Sequence, residues 1–243
     1  RNMKEVHENK KAVIQIKDVV RTYGEGEAVQ YAVNHVDFTI YEGEFAVILG
    51  QSGAGKSTVL NMLGGMDQPT TGQVVIDGED VSAMNERQLS DFRAAKIGFI
   101  FQFYNLIPSL TAYENVALTK SIVKNAKDAK TALEEVGLTA YRDKFPAQLS
   151  GGEQQRVSIA RALAKNPRII LGDEPTGALD SETGKIVLEL IQKQSREKHH
   201  TVVLVTHNAD IAKCADKIIR MKNGKIVEIT TNESPLSVEE VAW

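Results

Sequence analysis

The apolar residues of this chain fall into short runs. Positions 12–20, 45–49, 97–101, 168–172 and 201–205 are rich in Val, Ile, Leu and Phe, and polar stretches with helix-like composition separate them. Such runs predict strands alternating with helices, the pattern of an α/β domain with a largely parallel sheet. The stretch from about 105 to 165 breaks this rhythm: its apolar positions recur at helical spacing, as in 129–136 and 157–164, and predict an inserted helical subdomain. Near the end, 218–221 and 225–229 flank Asn223 and Gly224, a pair that accepts positive φ at both turn positions and so predicts a hairpin. Beyond Thr230 the sequence turns polar, and a loose tail is expected.

Length and charge narrow the function. No apolar run approaches the roughly 20 residues of a membrane-spanning helix. The first eleven residues are charged and lack an apolar core, so no export signal is expected, and Arg1 and Asn2 ahead of Met3 read as a tag remnant. The 243 residues suit one large domain with room for a subdomain, not a two-enzyme tandem. A hydrophobic fraction of 42% with 25% charged residues is that of an ordinary globular chain, and a net charge of −3 lacks the basic excess that binds nucleic acid. Cys214 stands alone, cannot form an internal disulfide, and reads as a small buried residue.

The chemistry begins directly after the apolar run 45–49. Gly50, Gln51, Ser52, Gly53, Ala54, Gly55, Lys56 and Ser57 spell a P-loop, and Thr58 opens a helix-like segment. Glycines let backbone N–H groups curl around phosphate, and the helix N-terminus favours the anion. In this motif Lys56 would reach the β- and γ-phosphates of ATP and Ser57 would ligate Mg²⁺. A second apolar run, 168–172, ends in Asp173 and Glu174. A strand end delivers both acids to the carboxyl edge of the sheet, where the P-loop also lies. Asp173 would then hold the metal and Glu174 would polarise the attacking water.

Residues 149–156 read Leu-Ser-Gly-Gly-Glu-Gln-Gln-Arg. Here the sequence resembles the ABC ATPase family, whose signature motif is LSGGQ, with Glu153 at the usual Gln position. Ser150 can cap the following helix. The resemblance implies that Ser150, Gly151, Gly152 and Glu153 contact the γ-phosphate held by the P-loop of an opposite subunit, so that ATP joins two chains head to tail as a homodimer. It extends over about 12–230 and implies further roles. Tyr23 stands where the family stacks an aromatic on adenine, although the position suits a core residue equally well. Gln102 matches the Q-loop glutamine that senses Mg²⁺ and the γ-phosphate, 177–180 match the D-loop with Gly177 replacing a usual serine, and His207 matches the switch histidine.

The implied fold is a P-loop NTPase (RecA-like) core with an antiparallel β subdomain and an inserted α-helical subdomain. Its boundaries would be 12–104 and 166–230 for the core and about 105–165 for the insert, with tails at 1–11 and 231–243. Residues 101–108, 114–116 and 173–180 resemble the lipoprotein-release, macrolide-export and cell-division branch, which includes antimicrobial-peptide exporters. That branch implies a motor on the cytoplasmic face of the membrane, driving a separate transmembrane permease whose coupling helix would meet the apolar residues of 103–110; those residues suit a core anchor nearly as well. The rival readings are a non-transport ABC ATPase or cell-division-type complex, a P-loop kinase, and a nonhydrolysing scaffold. A kinase does not need 149–155 or His207, the interval 57–149 lacks the heptads of the DNA-repair relatives, and intact Glu174 and His207 argue for hydrolysis.

Overall fold

A computed structural model describes residues 10–242. Its elements run β1 (Ala12–Tyr23), β2 (Gln30–Tyr41), β3 (Phe45–Leu49), α1 (Lys56–Leu63), β4 (Thr71–Ile76), β5 (Glu79–Asp80), α2 (Glu86–Lys96) and β6 (Ile97–Ile100). Then follow α3 (Ala112–Ala117), α4 (Thr119–Ile122), α5 (Ala129–Glu135), α6 (Gly151–Ala164), β7 (Ile169–Asp173), α7 (Ser181–Arg196), β8 (Thr201–Thr206), α8 (Ala209–Ala212), β9 (Lys217–Lys222) and β10 (Lys225–Thr231).

The apolar runs 45–49, 97–101, 168–172 and 201–205 become β3, β6, β7 and β8 of the central sheet, ordered β10-β9-β3-β8-β7-β6, with β10 antiparallel to β9 and the other neighbours parallel, whereas the run 12–20 lies in β1 of a separate antiparallel sheet. The strands read as unbroken apolar runs because both faces are covered. Alternate side chains of β3 divide between two cores: Phe45, Val47 and Leu49 face one, Ala46 and Ile48 the other. Strand β8 divides in the same way, with Val202 and Leu204 opposite Val203 and Val205. One core is closed by α3, α5, α6 and α7, the other by α1, α2 and the second sheet.

That second sheet, β2-β1-β4-β5, is antiparallel throughout. It is the antiparallel β subdomain that the resemblance implied, and Lys217 fastens it to the central sheet. This buried ammonium donates to the Thr39 carbonyl at 2.7 Å and to the Glu44 carboxylate at 3.1 Å.

Two details differ from expectation. Strand β1 runs to Tyr23, three residues past the apolar pattern, because antiparallel pairing with β2 continues to Gln30. The segment after Thr230, expected as a loose tail, is packed. Gln192 of α7 donates to the Leu236 carbonyl at 2.8 Å, Arg196 donates to the Pro235 carbonyl at 3.0 Å, and Val238 and Val241 are buried. Backbone hydrogen bonding to side chains, which needs no apolar pattern, holds it down. The expectations of no export signal and of a tag remnant at Arg1 and Asn2 fall on 1–9, which lie outside the described residues.

Candidate functional site

The P-loop leaves β3 at the carboxyl edge of the sheet and re-enters helix at Lys56, two residues before the Thr58 start expected from the sequence. Gly55 is the N-cap of α1 at φ +95°, and a side chain there would run into the Ala32 carbonyl. The loop is braced from behind by the β9–β10 turn, whose Asn223 and Gly224 both have positive φ. The Gly224 N–H donates to the Ala54 carbonyl at 3.0 Å, and the Gly224 carbonyl accepts from the Asn34 N–H at 2.8 Å. The turn legible in sequence is thus a buttress of the phosphate loop.

Lys56 is only 7% exposed, and its Nζ donates to the Gln51 carbonyl at 2.9 Å. Burial lowers its pKa, while the nearby Glu174 and Asp173 charges pull the other way. A buried ammonium has three N–H groups to satisfy, and no carboxylate among the described residues forms an ion pair with it. That deficit suits an incoming phosphate. Ser57 Oγ donates to Asp173 Oδ1 at 3.3 Å, so a hydroxyl and a carboxylate already face one another. Burial raises the pKa of Asp173; the Ser57 hydrogen bond lowers it, the Glu174 charge raises it and Lys56 lowers it. The set is too small to hold a metal by itself, but Mg²⁺ habitually takes one or two protein oxygens plus substrate phosphates. The residues therefore fit Mg²⁺ bound together with ATP.

Glu174 follows directly, with φ +45° and its N–H bonded to the Val205 carbonyl at 3.0 Å. Its carboxylate accepts from the Thr206 hydroxyl at 3.1 Å and the His207 N–H at 3.0 Å, and lies 2.8 Å from His207 Nδ1. A neutral His207 donating from Nδ1 presents Nε2 as an acceptor. Strands β7 and β8 are parallel neighbours, and Asp173 opposite Val205 sets these two strand ends side by side.

Gln51, Ser52, Gly53, Gly55, Lys56, Ser57, Thr58, Gln102, Asp173, Glu174 and His207 all line one cavity of about 800 Å³. Phe101, Phe103, Asn105 and Gly177 line it too, although sequence reasoning gave them no place in the nucleotide site. Gly177 has a packing reason: a side chain there would come within 2.8 Å of Gln102 Nε2, so the glycine permits the D-loop and Gln102 to approach closely.

Other expected residues stand apart. Ser150, Gly151, Gly152 and Glu153 are absent from the cavity lining. Ser150 caps α6, accepting from the Glu153 N–H at 3.2 Å while Glu153 accepts from the Ser150 N–H at 2.9 Å. This reciprocal box suits Glu as well as Gln at 153 and leaves the exposed Ser150 hydroxyl its proton to donate. Tyr23 also lies outside the lining. Its hydroxyl donates to Asp67 at 2.8 Å, and the Arg21 guanidinium sits 4.5 Å from its ring centre. Of the apolar residues at 103–110, Phe103 is 73% and Ile107 41% exposed, whereas Leu106 packs on the core.

Residues 33–177 match the family described as ABC transporter. An ABC transporter ATP-binding protein of Methanocaldococcus jannaschii, MJ0796, is 46% identical over 223 residues, covering 88% of this chain and 95% of that one. The macrolide export ATP-binding/permease protein MacB of Mannheimia succiniciproducens is also 46% identical over 90% of this chain, which spans 34% of that longer protein. Among solved structures, the dimeric post-hydrolysis state of MJ0796 bound to ADP and Pi superposes with a TM-score of 0.83 at 43% identity, covering 91% of this chain and 99% of that one.

Proposed function

This chain belongs to the ABC transporter family of ATP-binding proteins, and on that premise we propose that it is the motor subunit of an exporter, in which two copies and two ATP molecules form the working unit. It binds ATP with Mg²⁺ and hydrolyses it. The observation that carries the proposal is the division of its polar machinery. The P-loop, Gln102, Asp173, Glu174 and His207 line one cavity, while the signature serine is an exposed helix cap elsewhere.

Lys56 would neutralise phosphate charge, Ser57, Asp173 and Gln102 would hold Mg²⁺, and the metal would supply further charge neutralisation. Glu174, held by Thr206 and His207, would take the proton of the attacking water. Ser150 and the amides of Gly151 and Gly152 would close on the γ-phosphate of the facing copy, with Glu153 fixing the cap. Tyr23 would offer its exposed ring to adenine.

The same reading assigns 12–230 to one ATPase domain, with 12–104 and 166–230 as core and 105–165 as the helical part. Exposed Phe103 and Ile107 would receive the coupling helix of a transmembrane permease. No helix among the described residues is long and apolar enough to cross a membrane, and the chain would sit on the cytoplasmic face against that partner. The likeness to MacB supports export. The test is Lys56→Ala, which removes the buried ammonium: ATP binding and turnover should fall to background in a direct hydrolysis assay. Parental affinity and turnover would overturn the assignment.

A further inference from the structure

Gln155 lies on α6, five residues past Ser150, and is fully buried. Its Nε2 donates to two backbone carbonyls at once, Phe101 at 2.9 Å and Pro175 at 2.6 Å. Phe101 immediately precedes Gln102, and Pro175 immediately follows Glu174. One amide group therefore ties the signature helix to the two chain segments that carry the candidate metal-sensing and water-activating side chains. Later on the same helix, Arg161 extends the grip, donating to the carbonyls of Asn105 at 2.8 Å and Tyr104 at 3.0 Å. Both of those residues have left-handed φ, +34° at Tyr104 and +58° at Asn105, so the guanidinium holds a loop in a conformation that side chains rarely adopt. Gln155 Oε1 is buried without a hydrogen-bond partner among the described residues. An unpaired buried oxygen costs stability, so packing alone gives no reason to prefer glutamine to leucine here.

We infer that Gln155 is a positioning residue for ATP hydrolysis: through the Phe101 and Pro175 carbonyls it fixes Gln102 and Glu174 relative to the signature helix, so that the cavity and the exposed cap move as one unit. The inference rests on the roles given to Gln102 and Glu174 above. Gln155 touches neither nucleotide nor P-loop in this arrangement, so its loss acts on kcat and spares ATP affinity.

Two variants of the full chain test it, beside Glu174→Gln as reference. Gln155→Leu keeps the bulk and removes the donor. With MgATP its kcat should fall between about 10- and 100-fold, the range a small misplacement of reacting groups produces, while the affinity of the monomer for ATP stays within about twofold. Gln155→Glu supplies a donor only when protonated, and burial beside two carbonyl oxygens favours that neutral form. Its kcat relative to the parent at each pH should therefore rise as pH falls from about 8 to 6, a response that a purely structural lesion does not give. A flat ratio at any level of activity overturns the inference, as does parental kcat in Gln155→Leu. Parental kcat in Gln155→Leu while Glu174→Gln is inactive overturns the Gln155 role alone; parental turnover in both overturns the site reading as well.

Discussion

The phosphate-loop region and the signature region are both built on a helix N-terminus, yet they are finished to different degrees. At α1 the cap is a glycine with no side chain to offer, and the first helical residue is a buried lysine with one carbonyl partner. At α6 the cap is satisfied from within, Ser150 and Glu153 each bonding the other's backbone, and the group faces solvent. The first region is an open cleft around a buried lysine with one partner, a place that gains from a ligand. The second is satisfied and open, a surface that can meet another molecule without a cost to its own fold. The proposed function therefore gives binding and assembly to separate parts of one chain.

The sharpest separation comes from Glu174→Gln. It keeps the shape and removes the carboxylate that Thr206 and His207 hold. Turnover should fall by roughly 10²–10⁴, the usual contribution of a positioned general base, while ATP affinity persists and an ATP-bound dimer accumulates in light scattering. Parental turnover in this variant would remove Glu174 from the chemistry. Adding Ser150→Arg should then return that dimer to monomer, because a bulky cation would occupy the surface that the proposed function gives to the facing γ-phosphate. Equilibrium ATP binding to the monomer should change by less than about twofold, since Ser150 lines no part of the cavity. A dimer indifferent to Ser150→Arg would mean that the two regions are not complementary halves.

The two regions also differ in how far sequence discloses them. The P-loop, the acidic strand end and the Asn223–Gly224 turn are local: each motif is spelled by residues adjacent in the chain, and the structure forms them where spacing put them. The antiparallel sheet is harder to read. Its pairing of β1 with β2 contains several register shifts, and Asp18, His35 and Asp77 take positive φ at or beside its strands, so no clean alternation survives. Gln155 and Arg161 look like the polar face of a helix, and only the folded chain reveals that they grip backbone from two other segments, 101–105 and Pro175. The packed end was illegible for a similar reason. Leu236, Val238 and Val241 are too few to mark an element, and Gln192, a polar residue within an amphipathic helix, captures their backbone.

That packed end lies outside both regions and supplies a control for them. Val238→Ala, at a position 1% exposed against α7, should cost about 2 kcal/mol in lost burial and cavity formation. At this chain length that is roughly 4–8 °C in Tm. The kcat of the folded protein at 25 °C should stay within about twofold. A large fall in kcat with Tm unchanged would mean that this segment communicates with the site.

Asp77 offers the smallest and most pH-specific effect. It closes the β4–β5 turn and accepts from Lys11 at 3.0 Å, Lys96 at 2.9 Å and Arg168 at 3.3 Å, joining the β subdomain to the ends of α2 and β7. Burial alone would raise its pKa, but the three cations and their hydrogen bonds win and hold it far below the usual carboxylate range. A carboxylate with a depressed folded pKa stabilises the fold fully above its unfolded value of about 3.9, and that contribution is lost as pH falls toward the folded pKa. Asp77→Asn keeps the shape and removes the charge. Because Lys11 and Arg168 are substantially exposed, the cost at neutral pH should be only about 1 kcal/mol. The Tm difference between parent and variant should be constant from about pH 7 to 5 and shrink as pH falls from about 4 to 2. Both sides of the comparison should be untouched at pH 7, with ATP affinity and ATP-driven dimerisation unchanged. A difference that widened in acid would mean that Asp77 is protonated in the folded protein, and the ion-pair account of this junction would be wrong.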